Sequence, residues 1–162
     1  MRTALFPGSF DPFHNGHLEI VETAEKLFDK VLVTAMYNPS KEPLFDLDVR
    51  RQMIEESIAH LRTAEVILNT EAKLVVDLAK EVGADVIVKG LRVASDFEHE
   101  LQMAQMNEAI SGIQTVFLPC ASTHSFVNST LLREISKYGG SERVKAMVPD
   151  PVAKRLAERF KA

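Results

Sequence analysis

The chain has 162 residues, 46% hydrophobic and 26% charged, a balance typical of a globular domain and not of a disordered segment. Nineteen basic residues against 23 acidic ones give a net charge of −4, which argues against nucleic acid as a partner. The apolar runs are too short to span a bilayer, and Met1-Arg2 leads straight into strand-like residues without a secretory leader. We therefore expect a single cytoplasmic domain over residues 1–162, with neither a membrane nor nucleic acid as its partner.

Cysteine and histidine usage excludes two further classes of site. The one cysteine, Cys120, cannot form an internal disulfide and is interpreted as a small buried residue. The five histidines do not pair with cysteines at zinc spacing, and no carboxylate cluster is evident, so we expect no metal held by protein ligands.

Short apolar or β-branched runs alternate along the chain with segments of helical periodicity, and no repeat or linker divides them. The predicted strands are Arg2–Phe6, Lys30–Met36, Ala64–Leu68, Asp85–Val88 and Thr115–Leu118. The predicted helices are Gly16–Phe28, Leu47–Leu61, Lys73–Val82 and Asp96–Ile110, with two or three more after the last strand. Nearly continuous apolar strands separated by helices predict an α/β fold, a Rossmann-like doubly wound sheet of five parallel strands with helices on both faces and C-terminal helices.

Two helical segments carry patterns that bear on packing. The stripe formed by Val152, Leu156 and Phe160, after an expected N-cap at Asp150, favours core packing over a subunit contact. The segment 97–110, which follows capping-box spacing from Ser95, is apolar on more than one face. It is therefore either a buried central helix or a helix that gives its second face to another subunit, and both alternatives stay open.

The connection between the first predicted strand and the first predicted helix is the most informative segment. Ligands of parallel sheets bind beyond the carboxyl ends of the strands, and a helix start offers free N–H groups to an anion. Gly8 and Gly16 would let phosphate approach closely, and Ser9 can donate its hydroxyl to a phosphate oxygen. His14 and His17 share a face of the helix start, a spacing that alone would fit a metal pair, an anion site or a structural contact. The surrounding loop favours the anion site.

This connection also carries a resemblance. Gly8-Ser9-Phe10-Asp11-Pro12 followed by His14-Asn15-Gly16-His17 resembles the signature of the nucleotidyltransferase superfamily with the H/T-x-G-H motif, which releases pyrophosphate while joining a nucleoside monophosphate to a phosphorylated acceptor. Nearly the whole chain is similar to the bacterial phosphopantetheine adenylyltransferase family. The further segments that carry this similarity are Asn38-Pro39-Ser40-Lys41, Lys89-Gly90-Leu91-Arg92, Asp96–Asn107 and Ser125–Thr130.

The chain departs from the family pattern at three positions. His99 stands where tyrosine is frequent, and Asn128 stands where serine is frequent. Lys89 replaces the commoner arginine, which would grip a phosphate with two hydrogen bonds. These departures bear on individual contacts and leave the family resemblance intact.

The resemblance implies transfer of the adenylyl group of ATP to 4′-phosphopantetheine, giving dephospho-coenzyme A and pyrophosphate by in-line attack of the acceptor phosphate on the α-phosphorus. It also implies Mg²⁺ bound mainly through substrate phosphates, a homohexamer and coenzyme A as a feedback inhibitor. Because a phosphate is already nucleophilic, no catalytic triad is needed, and none is evident in the sequence.

The resemblance also implies the site residues. His17 is the expected transition-state stabiliser, and Lys41 is the second expected catalytic residue. The residues expected to bind ATP are Ser9, Phe10, His14, His17, Gly90, Leu91, Arg92, Glu100, His124, Ser125, Phe126, Val127, Asn128, Ser129 and Thr130. The residues expected to bind the acceptor are Ser9, Lys41, Leu74, Val75 and Lys89.

Three other functions compete with this interpretation. A nicotinate mononucleotide adenylyltransferase can have almost the same first loop, but segment 89–92 and the short chain favour the pantetheine enzyme. A cytidylyltransferase is disfavoured because the later loop lacks the arginine-led serine/threonine motif of that group. A non-catalytic nucleotide sensor is disfavoured because His14, His17 and Lys41 are all present.

Overall fold

The computed structural model describes residues 1–161, and a five-stranded parallel sheet organises them. The strands are β1 (Thr3–Gly8), β2 (Lys30–Ala35), β3 (Ala64–Val66), β4 (Val86–Leu91) and β5 (Gln114–Pro119). They are arranged in the order β3-β2-β1-β4-β5, and each neighbouring pair is parallel. The predicted doubly wound α/β sheet is confirmed. The strand order reverses between β1 and β4, which is where such sheets bind ligands.

Helices connect the strands and complete the chain. They are α1 (Asn15–Leu27), α2 (Leu47–Ser57), α3 (Val75–Glu81), α4 (Ala94–Ser111), α5 (Ser129–Gly139), a 3₁₀ helix (Ser141–Met147) and α6 (Asp150–Arg159). The four predicted helices between strands are all present, and their ends shift by a few residues. None of the described helices is long and apolar enough to cross a membrane.

The core lies on both faces of the sheet because successive strand residues point to opposite sides. On one face Ala4 and Phe6 of β1 pack with residues of α1, α2, α5 and α6. On the other face Leu5 packs with Leu32 of β2 and with α3. Both faces are therefore covered, which explains why the strands are apolar at nearly every position.

The two predicted N-terminal capping sites, at Ser95 and Asp150, lie one or two residues beyond the N-caps of the structure. The N-cap of α4 is Val93, whose extended backbone makes no side-chain cap, so the helix begins before Ser95. The side chain of Ser95, on which the predicted capping box depends, lies outside the described part of the structure. The N-cap of α6 is Pro149, and Asp150 is the first helical residue instead of the cap. In both cases the chain turns into the helix before the residue with capping chemistry.

The packing predictions have different outcomes. The α6 stripe is core, because Val152 and Leu156 are fully buried and Phe160 packs against the same cluster. The buried-helix alternative for α4 is wrong, because its large apolar side chains are exposed by between 36% and 62%. Those side chains belong to Phe97, Leu101, Met103, Met106 and Ile110. The subunit contact stays a prediction.

Candidate active site

Phe10 shapes the loop that follows β1. Its backbone has a φ of 47°, a left-handed conformation that a bulky residue rarely adopts. Its ring is nevertheless almost fully buried, and it packs edge-on against the rings of Phe6, Phe13 and His17 at centroid distances of 5.2, 5.5 and 4.8 Å. Burial of this ring offsets the backbone strain and fixes one side of the His17 imidazole.

His14 and His17 cap the start of α1 reciprocally. Nδ1 of His14 accepts hydrogen bonds from the N–H groups of Gly16 and His17 at 3.0 and 3.3 Å. Nδ1 of His17 in turn accepts from the N–H of His14 at 3.1 Å. Because each Nδ1 is an acceptor, the hydrogen of each neutral ring sits on Nε2. The two rings are stacked with centroids 3.6 Å apart.

Both histidines are held in the neutral form. Burial, followed by the charges of Arg92 and His124, lowers the pKa of His14 to about 3. Burial and the neighbouring His14, Arg92 and Lys89 lower the pKa of His17 well below its ordinary value. Near neutral pH each ring is therefore uncharged, and its Nε2–H can donate a hydrogen bond. Nε2 of His14 is buried and has no partner among the described residues.

The glycines of this segment make room for the protein's own rings. A Cβ atom at Gly8 would lie 2.8 Å from the ring of Phe10. A Cβ atom at Gly16 would lie 2.9 Å from the ring of His14. A larger residue at either position would therefore collide with one of these rings, which explains the glycines structurally. Their expected role in admitting phosphate stays a prediction.

A central cavity of about 150 Å³ brings together many of the predicted site residues at the carboxyl ends of β1 and β4. Lys89 of β4 and Glu100 of α4 both line this space and form an ion pair at 3.5 Å. The predicted residues that line it are Phe10, His14, His17, Lys89, Gly90, Arg92 and Glu100. Their common location gives the cavity two neutral donors, two cations and one carboxylate.

A second cavity of about 150 Å³ continues from the central one past Lys89 and Glu100. Val75, His99 and Met103 line this extension. Leu74 does not line it: this residue is the N-cap of α3 and is 58% exposed. Of Leu74 and Val75, both predicted to bind the acceptor, only Val75 therefore lines this cavity.

Lys41 lies in a third cavity, of about 320 Å³, between the connection that follows β2 and the start of α5. Ser9, Ser129 and Thr130 line the same space, but Lys89 does not. Of the five predicted acceptor contacts, the structure therefore places Lys41 and Ser9 together in this cavity, and Lys89 in the other two cavities, one of which Val75 also lines.

The sequence interpretation did not assign roles to three residues that build this third cavity, Asp11, Arg50 and Arg133. The buried carboxylate of Asp11 accepts from the N–H groups of Leu44 and Phe45 at 2.7 and 3.0 Å. These bonds tie the segment that follows Lys41 to the loop after β1.

Two arginines reinforce the same junction. Arg50 is 5% exposed, and its guanidinium donates to the carbonyls of Ser9 and Phe45 at 2.8 and 3.0 Å. Arg133 donates to the carbonyl of Asp11 at 2.7 Å. A signal for Arg50 existed in the sequence, because it shares a helix face with Met53, Ile54 and Ser57, all buried.

The 121–128 loop lies against Arg92 and Gly16, two residues that line the central cavity. Arg92 donates to the carbonyl of Val127 at 2.7 Å, and Val127 itself is buried in the core. Asn128 caps α5 by accepting from the N–H of Leu131 at 2.8 Å, and Ser129 donates to the carbonyl of Pro12 at 2.8 Å. The hydroxyl of Ser125 donates within the loop, to Ser122. Phe126 is 62% exposed, so its predicted contact with ATP has no cavity beside it.

The donor groups around these cavities do not form a metal cage. No group of three His, Cys, Asp or Glu side chains with metal-binding geometry occurs among residues 1–161. Asp11 is bonded to backbone amides and Glu100 is paired with Lys89. Burial and the charge of Glu19 raise the pKa of Cys120, which keeps its thiol protonated.

Comparison with known proteins gives similarity over nearly the whole chain. Residues 5–135 match the cytidylyltransferase-like family. A phosphopantetheine adenylyltransferase of Synechococcus sp. (strain JA-3-3Ab) is 50% identical over 158 residues, which cover 97% of each chain. Proteins of the same name from Frankia alni and Alkaliphilus oremlandii are each 45% identical over 161 residues, covering 98% of both chains in the first case and 99% and 100% in the second.

Proposed function

We propose, from the premise that the chain belongs to the phosphopantetheine adenylyltransferase family, that it transfers the adenylyl group of ATP to 4′-phosphopantetheine. The products are dephospho-coenzyme A and pyrophosphate. The observation that carries this proposal is the central cavity, where neutral His14 and His17 face Lys89 and Arg92 at the switch point of the sheet.

The reaction needs a positioned nucleophile, which the acceptor itself supplies. An oxygen of the acceptor phosphate forms a bond to the α-phosphorus of ATP while the bond from that phosphorus to the β-bridging oxygen breaks. The electron pair of the broken bond leaves with pyrophosphate. The protein contributes orientation and charge stabilisation, as in other transfers at phosphorus.

His17 stabilises charge that accumulates on the α-phosphate. Its Nδ1 is held by the backbone of His14, so its Nε2–H is the atom that donates to a phosphate oxygen. Because the pKa of His17 is lowered well below its ordinary value, the ring is neutral when the substrates bind. A neutral imidazole is a very weak acid, so Nε2 donates a hydrogen bond to the phosphate oxygen and keeps its proton. Removing one such preorganised donor typically costs about 3–4 kcal/mol of transition-state stabilisation.

The cations divide between the two substrates. Lys41 and Ser9 hold the acceptor phosphate, and Lys89 assists from the cavity that extends toward Val75. Arg92 and the 121–128 loop hold ATP together with Glu100, Ser129 and Thr130. This division follows the family resemblance, and the cavities support it for Lys41 with Ser9 and for Arg92 with Glu100. Ser129 and Thr130 line the cavity of Lys41, at the side where the two substrates would meet.

Magnesium would be held by substrate oxygens. The carboxylates of Asp11 and Glu100 are already paired, so the protein offers no ligand set that would fit the ion among its described residues. Mg²⁺ commonly keeps several waters and binds substrate phosphates, where it neutralises their charge. We assign no step to it.

The assembly, the inhibitor and the location belong to the same proposal. The exposed apolar face of α4, with Met106 at 62% and Ile110 at 55% exposure, supports a homo-oligomer, and family resemblance makes it a hexamer. Resemblance likewise implies inhibition by coenzyme A and a cytoplasmic location.

The testing experiment measures pyrophosphate release from ATP and Mg²⁺ with 4′-phosphopantetheine and with nicotinate mononucleotide as parallel acceptors. Turnover with the first alone supports the proposal. Turnover with the second alone overturns the acceptor. Nucleotide binding without release of pyrophosphate from either favours a sensor. His17→Ala should lower kcat about a hundred- to a thousandfold, whereas His60→Ala, which removes a histidine outside the cavities, should keep it.

A further inference from the structure

The 121–128 loop has its own turn structure, centred on His124. The N–H of His124 donates to the carbonyl of Ala121 at 3.0 Å, and the carbonyl of His124 accepts from the N–H of Val127 at 3.1 Å. Two consecutive turns therefore meet at His124. Contacts at the two ends of the loop connect these turns to the rest of the fold.

The end near α5 is held by contacts already described, from Arg92 to Val127 and from Asn128 to Leu131. The other end is held by Glu19. One carboxylate oxygen of Glu19 accepts from the N–H of Ala121 at 2.8 Å. The other oxygen lies 2.7 Å from Nδ1 of His124.

Close packing accompanies these two bonds. The carbonyl oxygen of His124 would lie 3.6 Å from a Cβ atom at Gly16, so the loop rests directly on the start of α1. The Glu19 and His124 side chains are only 23% and 34% exposed, which limits screening of their interaction by water. An ionised carboxylate only accepts hydrogen bonds, so Nδ1 of His124 carries the hydrogen in this contact.

We propose that Glu19 is a positioning residue for ATP, because it fixes the 121–128 loop to the helix that carries His17. Glu19 follows His17 by two positions, while its partners lie 102 and 105 residues away in the sequence. The carboxylate thus sets the distance between the ATP loop and the transition-state donor. This inference rests on the proposed function, since it assigns ATP to that loop.

Helix α1 supplies a matched control for this role. Glu22, three positions along the same helix, pairs with His60 at 3.0 Å, and neither residue lines the cavities. Glu19→Ala and Glu22→Ala therefore remove the same side chain from the same helix and each break one Glu–His pair. Only Glu19→Ala removes a pair that holds the 121–128 loop; it also leaves the N–H of Ala121 without its acceptor, and its pair is less exposed than Glu22–His60.

The experiment measures the Kd for ATP with Mg²⁺ by calorimetry without acceptor, together with KM for both substrates and the thermal midpoint. For Glu19→Ala we expect the Kd and KM for ATP to rise about tenfold, the lower range for losing a hydrogen bond to a charged group. The acceptor KM should stay within about twofold, and Glu22→Ala should match the wild type. Equal effects of the two variants on ATP, or equal rises in both KM values for Glu19→Ala, would overturn the proposal.

A double-mutant cycle separates positioning from a general structural effect. If Glu19 acts partly through His124, the ATP effect of Glu19→Ala should be smaller in a His124→Ala background, where only the bond from the N–H of Ala121 is left to lose. Full additivity would contradict that route. A wild type that binds ATP but does not adenylylate phosphopantetheine would overturn the proposed acceptor alone, and weaker ATP binding by Glu19→Ala would still support this role. A wild type without ATP affinity would overturn both.

Discussion

His14 should make the protein sensitive to mild acid, and His14→Thr should relieve part of that sensitivity. Its Nδ1 accepts two backbone N–H groups, so adding a proton there would place three donors together. Burial, together with the charges of Arg92 and His124, lowers the pKa of His14 to about 3 in the folded chain, against 6.5 for an ordinary histidine. Below pH 6.5 the unfolded chain gains a proton that the folded chain does not, so stability falls as the pH falls toward 3.

The magnitude follows from the distance between these two pKa values. A pH of 5 is about 1.5 units below the pKa of the unfolded histidine, which is therefore protonated, while folded His14 is still neutral. Each pH unit changes the free energy of unfolding by about 1.36 kcal/mol, so His14 lowers it by about 2 kcal/mol at pH 5 relative to pH 7. The lowered pKa of His17 adds a loss of the same sign. Threonine keeps an oxygen that can cap α1 and has no titration in this range.

The assay is urea unfolding at pH 7 and at pH 5, followed by circular dichroism, for the wild type and for His14→Thr. From pH 7 to pH 5 the free energy of unfolding of the wild type should fall by about 2 kcal/mol more than that of His14→Thr. The comparison within each protein removes the constant effect of the substitution on packing. Equal losses would refute the reasoning, because they would mean that His14 binds protons similarly in both states.

Three further predictions concern the acceptor, the loop junction and the assembly. Lys41→Ala should raise KM for the phosphopantetheine acceptor and leave ATP affinity unchanged in calorimetry. Weaker ATP binding with an unchanged acceptor KM would show that Lys41 contacts ATP and not the acceptor. Asp11→Ala should lower the free energy of unfolding in urea by about 3 kcal/mol. The N–H groups of Leu44 and Phe45 would lose their acceptor, and Arg50 would lose a nearby negative charge. A decrease of less than about 1 kcal/mol would contradict this prediction. Met106→Glu should reduce the mass measured by light scattering if α4 forms a subunit contact, and an unchanged oligomer would exclude that residue from it.

The layout of the sheet was predictable because its strands are buried on both faces. A strand such as Lys30–Ala35 is apolar along almost its whole length, and its ends are marked by charged or turn-forming residues. Helix starts were harder to predict. At Val93 the extended backbone begins α4 without any capping side chain, and local sequence contains no signal for that choice.

Residues within contiguous motifs were the predictable part of the candidate site. His14 and His17 fall where the loop pattern placed them, and Lys89 and Arg92 follow from the end of β4. The contacts of Asp11 with Leu44 and of Glu19 with His124 join residues far apart in the sequence. Such pairs leave no periodic or local trace in a single sequence, so only the folded chain reveals them.

The reciprocal cap has a consequence for insertions and deletions. A helix cap fixes the count of residues between its two partners, and here each partner is also a side chain of the candidate site. Adding or removing one residue between His14 and His17 would break both caps and rotate His17 by about 100° around α1. By contrast, residues 70–72 are exposed in the connection between β3 and α3. A library that varies chain length should therefore accept changes there and reject them at the start of α1, however conservative the inserted residue.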